Sequence, residues 1–324
     1  MSAERLTFYT VGDARVFIGV LGLLRSLRAV GHDEPLVLLD AGFEPAQRAH
    51  LEAAGCAMID PPKRATHPTL YKPFMHVAGA DGIVVSLDCD ALVTHHFGDL
   101  VAKARAGRIV AFPDPAAGRF YREWADIWGV RAPLRRQTYV SAGYLVFSTG
   151  AFPDLVPRWW ECCEQAFGER LIWDKYERGR SPTPDDQEAL NALLMSEIPE
   201  GAVELLPRGA IVHGLEAMSV RVRNRRTLEC WRDGERVRYL HAGGSPKPWE
   251  GNARDRYRPD AYNRLLRTLI AADDVPKPPW LVPTATGGAR LTVGGLRNHA
   301  GDRSFWFETT RRSPLLHKTL RAAA

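Results

Sequence analysis

Two stretches of the chain carry residue types that could act together on a charged substrate. Asp88-Cys89-Asp90 sets two carboxylates one residue apart, directly after the apolar run Ile83–Leu87. Carboxylate oxygens are ligands for hard divalent cations, and such a cation in turn bridges to substrate phosphates. The same pair also fits a solvated acidic turn. The second stretch is His241-Ala242-Gly243-Gly244-Ser245-Pro246-Lys247-Pro248-Trp249. Here His241 could supply a nitrogen ligand and Gly244 permits close backbone approach, while Lys247 is a point charge suited to a phosphate. Pro248 limits the mobility of the loop that presents it. A lone histidine at a strand end is commonly structural; the whole nine-residue arrangement favours a functional reading instead.

Such residues need a scaffold, and the N-terminal half has alternating strand and helix patterns. Residues 6–10 form a short apolar run followed by Gly12-Asp13. Val16, Val20, Leu24 and Leu27 recur at three- and four-residue steps, the period of a helix face. Residues 36–39 read as a second strand, 46–54 as a helix ended by Gly55, and 56–59 as a third strand. This order predicts an α/β domain with a mostly parallel central sheet flanked by helices. Ile83–Leu87 is continuous enough in apolar character to be a strand buried on both faces. Asp88 and Asp90 then lie at its carboxyl end, where open α/β sheets bind their ligands. Further strands are predicted at 109–112 and 139–147, and helices at 154–167, 186–195 and 259–271. Over 218–240, Val220, Val222, Leu228, Cys230, Val237 and Tyr239 alternate with polar residues, and Asp233-Gly234 supplies a tight hairpin turn. His241 is then read as the end of that hairpin strand. The helical spacing of Trp124, Trp128, Trp159 and Trp160 suits core packing, with carbohydrate stacking as the alternative.

With these motifs in this order, the chain resembles the family 8 glycosyltransferases, the group that includes glycogenin and the lipopolysaccharide galactosyltransferases. The family's H-x-x-G-x-x-K-P-W is matched by His241, Gly244, Lys247, Pro248 and Trp249, and its D-x-D by Asp88 and Asp90. A basic residue, Lys72, stands 16 positions ahead of Asp88, as in the family. Asp186-Gln187-Glu188-Ala189-Leu190-Asn191 is similar to D-Q-D-x-L-N, and Ser141-Ala142-Gly143-Tyr144-Leu145-Val146-Phe147 to N-A-G-V-x-V-F. The likeness runs from about Leu6 to Trp249. It implies a GT-A fold and a retaining transferase that moves a hexose, glucose or galactose, from a UDP-sugar to an acceptor. It also implies Mn²⁺, with Mg²⁺ as the alternative, held by Asp88, Asp90 and His241. Gly244 and Lys247 would contact the donor diphosphate, Thr10, Val11 and Asp13 the nucleotide, and Cys89, Ser141 and Ala142 the remainder of the donor. Lys72, Asp186 and Gln187 would face the sugar and the reaction centre. Three positions depart from the pattern: Val16 stands where an aromatic residue often meets uracil, Ser141 replaces Asn, and Glu188 replaces Asp.

Composition narrows the partners. The chain has 324 residues, with Lys+Arg 43 and Asp+Glu 38 for a formal charge of +5. Hydrophobic content of 45% and charged content of 25% exclude a disordered or fibrous chain. The charge is uneven: residues 276–324 hold 8 basic and 2 acidic side chains, a net +6, which leaves −1 for residues 1–275. We therefore expect a catalytic domain over 1–275, with no nucleic-acid partner, and a basic, proline-containing extension over 276–324. The extension is a solvated or packed tail, an acceptor-closing segment, an oligomer contact, or a peripheral attachment to an anionic membrane surface. No apolar run approaches the roughly 18 residues of a membrane span, and no charged-then-apolar leader opens the chain. Five cysteines without a C-x-x-C fit reduced thiols, so a cytoplasmic location is expected. Two rival functions share the general chemistry. A sugar-phosphate nucleotidyltransferase would need a glycine-rich basic loop after the first strand, which Thr10-Val11-Gly12-Asp13-Ala14-Arg15 lacks. A non-enzymic sugar-nucleotide-binding protein would not need the full set Asp88, Asp90, His241 and Lys247. The acceptor is a glycan or small molecule of unspecified identity.

Overall fold

The computed structural model describes residues 4–62, 65, 67–76, 82–166, 185–244, 246–250 and 260–281. Nearly all of the basic extension, from residue 282 onward, lies outside the described residues. In chain order the strands are β1 (Leu6–Gly12), β2 (Leu36–Asp40), β3 (Cys56–Ile59), β4 (Ile83–Leu87), β5 (Ala91–Val93), β6 (Ile109–Pro113) and β7 (Val140–Ser148). There follow β8 (Val203–Leu205), β9 (Ile211–His213), β10 (Arg221–Asn224), β11 (Glu229–Arg232), β12 (Glu235–Val237) and β13 (Tyr239–His241). The α-helices are α1 (Phe17–Ala29), α2 (Pro45–Ala53), α3 (Gly98–Arg105), α4 (Trp124–Ile127), α5 (Leu155–Gln165), α6 (Asp186–Leu194) and α7 (Ala261–Leu269). They distribute over two compact units that interleave along the sequence.

The first unit comprises Met1–Phe17, Asp33–Cys89 and Phe97–Arg208. Its sheet has the order β3-β2-β1-β4-β7-β6-β8. β3, β2, β1 and β4 run parallel, as do β6 and β8, while β7 is antiparallel to both of its neighbours. The mostly parallel sheet expected from the alternating pattern is thus present, and β4 is buried along its whole length. β7, nine residues long, brings Ser141-Ala142-Gly143 beside the end of β4. Trp124, Trp128, Trp159 and Trp160 are all buried in the core of this unit, with Leu145, Phe147 and Leu190. Core packing, and not sugar stacking, accounts for them. Cys162 and Cys163 are buried there as well.

The second unit comprises Ile18–His32, Asp90–His96 and Gly209–Ala324. It holds two three-stranded sheets, β10-β11-β12 and β5-β13-β9. The hairpin turn falls between β11 and β12 as predicted, with Asp233 and Gly234 at φ 50 and 86. The reading of His241 as the end of the hairpin strand is corrected. β12 stops at Val237, and His241 ends a separate strand, β13, which is antiparallel to β5 and parallel to β9. Arg238 makes the switch, donating its N–H to the Ala210 carbonyl at 2.8 Å and accepting from the Thr94 N–H at 2.9 Å. Alternation continues through this point, so the sequence pattern does not register that the strand has changed partners.

At the entry to β4, Gly82 has φ +88, and a Cβ there would lie 2.6 Å from the Arg5 carbonyl oxygen. Its N–H donates to the Thr149 hydroxyl at 2.9 Å. The turn has no room for a side chain, and its backbone sets the start of the strand that delivers Asp88. Gly82→Ala is expected to lower stability by about 1–3 kcal/mol. Urea unfolding would show this as a reduced midpoint; an unchanged midpoint would mean that the turn relaxes without cost.

Candidate functional site

In the first unit the chemistry centres on Lys72. The residue sits on a 3₁₀ stretch, Pro68–His76, placed on the core through a hydrogen bond from the Tyr9 hydroxyl of β1 to the Tyr71 carbonyl at 2.8 Å. Its Nζ lies 2.9 Å from Asp88 Oδ1 and 3.1 Å from Asp186 Oδ2. Burial pulls the lysine down, but Asp186 and Asp88 more than offset it and hold the ammonium well above its ordinary value. One fixed cation is therefore shared by two carboxylates from different elements. The position of Asp88 is set by the Thr10 hydroxyl, which donates to the Leu87 carbonyl at 2.7 Å, and by its own N–H on the Gly143 carbonyl at 3.0 Å. A Cβ on Gly143 would drive into the Asp88 carboxylate, so glycine at this point of β7 is a requirement of the site.

Helix α6 divides its polar residues between chemistry and scaffold. Asp185 caps it, accepting from the Glu188 N–H at 2.7 Å. Asp186, in the first turn, faces Lys72. Gln187 accepts from the Ala142 N–H at 3.0 Å and donates to Asp114 Oδ2 at 3.0 Å, tying α6 to β7 and to the residue after β6. Asn191 completes the seam with bonds in both directions to the Val140 backbone at 2.8 Å. Glu188 instead points into the core, where it accepts from Arg119, Trp124 Nε1 and the Tyr139 hydroxyl. Burial raises its carboxyl, an effect only partly countered by Arg119. The Asp-to-Glu departure in the sequence motif therefore falls on a packing position.

The end of β1 reaches the same neighbourhood. Asp13 caps the following 3₁₀ turn by accepting from the Arg15 N–H at 3.0 Å, and Val11 is buried beside it. His67, which drew no notice in the sequence, lies close enough to feel Asp186, Lys72, Arg15 and Asp13. Burial is the main influence and holds the ring below its ordinary value.

In the second unit the centre is Asp90, 4% exposed. Its Oδ1 lies 3.1 Å from His241 Nε2, and its Oδ2 accepts from Lys247 Nζ. Burial acts to raise the carboxyl; His241, and after it Lys247, outweigh this and hold Asp90 well below the usual carboxylate range. The Ala242 N–H donates to the Asp90 carbonyl at 3.1 Å, and Lys247 Nζ also donates to the Ala242 carbonyl at 3.1 Å. The loop beyond is closed by Glu250, which accepts from the Lys247 N–H at 2.7 Å, and by Trp280, whose Nε1 donates to the Pro248 carbonyl at 2.9 Å. Gly244 has φ +86 with open space around it, so its backbone conformation selects glycine. The close approach is made by Gly243, where a Cβ would lie 3.2 Å from the His241 ring.

Within this unit His213, also unmarked by any motif, stands beside His241 across the β9–β13 pair, with the two Nδ1 atoms 2.9 Å apart. Nothing in the local sequence signals His213; only strand pairing brings it there. Asp114 and His67 are likewise brought in by tertiary contacts.

The seven-stranded, mostly parallel sheet is that of the GT-A glycosyltransferase fold, and the resemblance seen in the sequence holds at the level of fold. The chain is similar in structure to the galactosyltransferase LgtC in complex with donor and acceptor sugar analogues, with a TM-score of 0.52, 19% identity, and coverage of 83% of this chain and 97% of that one. It is also similar to the bifunctional glycosyltransferase WbbM in its apo form, with a TM-score of 0.52, 14% identity, and coverage of 90% of this chain and 52% of that one. No family model matches the chain, and no curated protein does. Among the described residues no helix is long and apolar enough to cross a membrane.

Cys89 gives the site a chemical handle. It is half-buried between Asp88 and Asp90, whereas Cys56, Cys162, Cys163 and Cys230 are buried. Burial pushes the Cys162 thiol up to about 11 and Cys230 up to about 12, leaving little thiolate at pH 8. Limited iodoacetamide treatment of the folded protein at pH 8 is expected to give a single adduct, at Cys89, by peptide mass spectrometry. Early adducts on the other four would show that the core opens on that timescale.

Proposed function

We propose that this protein is a retaining, metal-assisted glycosyltransferase that moves a hexose, glucose or galactose, from a UDP-sugar to a small-molecule or glycan acceptor. The observation that carries this reading is the meeting of two sequence motifs at Asp90. The second carboxylate of D-x-D holds both His241 and Lys247, the latter 157 positions away. The GT-A fold supports a sugar transferase.

Asp88, Asp90 and His241 offer two carboxylate oxygens and one imidazole nitrogen, a donor set that suits Mn²⁺ or Mg²⁺. With Asp90 Oδ1 and His241 Nε2 3.1 Å apart, these two donor atoms are close enough together to hold one cation. When bound, the cation would offset the charge that accumulates on the departing nucleoside diphosphate. Lys247, which donates to Asp90, would exchange that contact for a diphosphate oxygen, with Gly244 presenting backbone beside it. Fixed positive charge that meets its partner more strongly as the leaving group departs lowers the barrier selectively. In the first unit, Lys72 and Asp186 would orient sugar hydroxyls and balance an oxocarbenium-like centre, and Gln187 would keep α6 and the Ser141-Ala142 backbone in register. Thr10, Val11 and Asp13 line the end of β1, where the nucleotide would lie. The catalytic domain would extend over 1–275, and the basic extension would serve acceptor closure, self-association or contact with an anionic membrane surface.

The test begins with hydrolysis of a panel of nucleotide sugars in the presence of Mn²⁺. UDP-glucose or UDP-galactose is expected to turn over, and Asp90→Ala to lower that turnover by at least about 10²-fold. Proton NMR of the transfer product should show the donor's anomeric configuration. An inverted product, or full activity in Asp90→Ala, would overturn the reading.

A further inference from the structure

The two nitrogens of the His241 ring have separate neighbours. Nε2 lies 3.1 Å from Asp90 Oδ1, and Nδ1 lies 2.9 Å from Nδ1 of His213. Two bare nitrogens repel at that distance and two N–H groups collide, so one proton lies between the rings. With one proton on each ring, two pairings satisfy this. In the first, His213 donates, His241 Nδ1 accepts, and the His241 proton sits on Nε2, aimed at Asp90. In the second, His241 donates from Nδ1, His213 accepts, and Nε2 carries a lone pair. A cation can be ligated at Nε2 only in the second. An imidazolium at His241, which pairs with Asp90 in the absence of a cation, shares the His213-accepting geometry of the second and gives up its Nε2 proton on ligation.

We propose that His213 is a positioning residue: by accepting the Nδ1 proton of His241, it fixes the tautomer whose Nε2 lone pair ligates the divalent cation. The inference rests on the metal reading given above and adds to it the group that makes His241 a ligand. Metal-bound histidines generally give their second N–H to a carboxylate, a carbonyl or a water. An imidazole differs from these acceptors because it can also donate. The His213–His241 pair can therefore satisfy the Asp90 hydrogen bond without metal and the lone-pair requirement with it, and no heavy atom has to move.

The surroundings favour this role over incidental contact. His213 and His241 are register partners at the ends of the parallel strands β9 and β13, so backbone pairing sets their separation. The rings meet edge to face, with centroids 5.0 Å apart and planes at 73°. Gly243 lies against the His241 ring as well. A ring held on two sides loses little further freedom on ligation, and second-neighbour groups of this kind are worth about 10–100-fold in metal affinity.

The experiment measures Mn²⁺ binding to the full chain, without donor, by electron paramagnetic resonance of the free ion. Wild type is compared with His213→Leu, His213→Asn and His241→Ala, and circular dichroism and thermal unfolding establish that each variant is folded. Binding by wild type and its loss in His241→Ala test the metal reading by itself. The inference expects His213→Leu to weaken Mn²⁺ binding about 10–100-fold. It expects His213→Asn, whose Oδ1 can accept near the position of the His213 Nδ1, to restore most of the affinity. Equal affinity in wild type and His213→Leu would overturn the inference and leave the metal reading standing. So would a His213→Asn protein as weak as His213→Leu, because the role would then be packing alone. A wild-type chain that binds no Mn²⁺ would remove both.

Discussion

Asp90 is a carboxylate taken out of water and kept ionised, and much of the second unit follows from that constraint. An unpaired charge in a protein interior carries a penalty of several kcal/mol, so such a group needs fixed partners with good geometry. The partners here are His241 and Lys247, from a single later segment. They can reach Asp90 only if β13 lies beside β5, and the register of that pair sets His241 opposite Ala91, next to the acid. The Ala242 N–H on the Asp90 carbonyl extends the same pairing by one residue. The short sheet β5-β13-β9 is thus both the means of pairing the charge and the platform that lines up His213 behind His241.

The first unit meets the same problem with the signs reversed. There the buried cation is Lys72, and its carboxylates, Asp88 and Asp186, arrive from the end of β4 and the start of α6. Thr10 and Gly143 hold the backbone around Asp88, and Tyr9 holds the segment that carries Lys72. On α6 the division of labour is angular. Asp186 and Glu188 are two residues apart, roughly 200° around the helix, so one faces Lys72 while the other is packed among Arg119, Trp124 and Tyr139. Two acids of similar chemistry acquire different duties from position alone.

Much of this architecture was legible in the residue pattern where the signal is local. β4 announced itself as an unbroken apolar run, the hairpin by Asp233-Gly234, and the start of α6 by the acids that precede its apolar positions. The helical spacing of the four tryptophans matches their place in the core. Other elements left no such trace. β5, β9 and β13 have three residues each, too short for any period to emerge. The 3₁₀ stretch that carries Lys72 has Pro73 inside it and follows no helical rule. The break at Arg238 leaves no mark in the sequence, because alternation runs through it unchanged while the hydrogen-bond partners change.

The sequence by itself determined the kinds of chemical group available and their order along the chain: paired carboxylates after a buried strand, an imidazole and an ammonium on a glycine-rich loop, an acid and an amide opening a helix. These are properties of side-chain type and local spacing, which short-range sterics and periodicity transmit directly. Tertiary structure alone decided which nitrogen of His241 meets Asp90, that His213 stands at the other, that Gln187 braces β7, and that Glu188 belongs to the core. Those outcomes depend on strand register and helix rotation between segments far apart in the chain. A shift of one residue in strand register would send each side chain to the opposite face, and one residue along a helix turns it by about 100°, differences that no local pattern encodes.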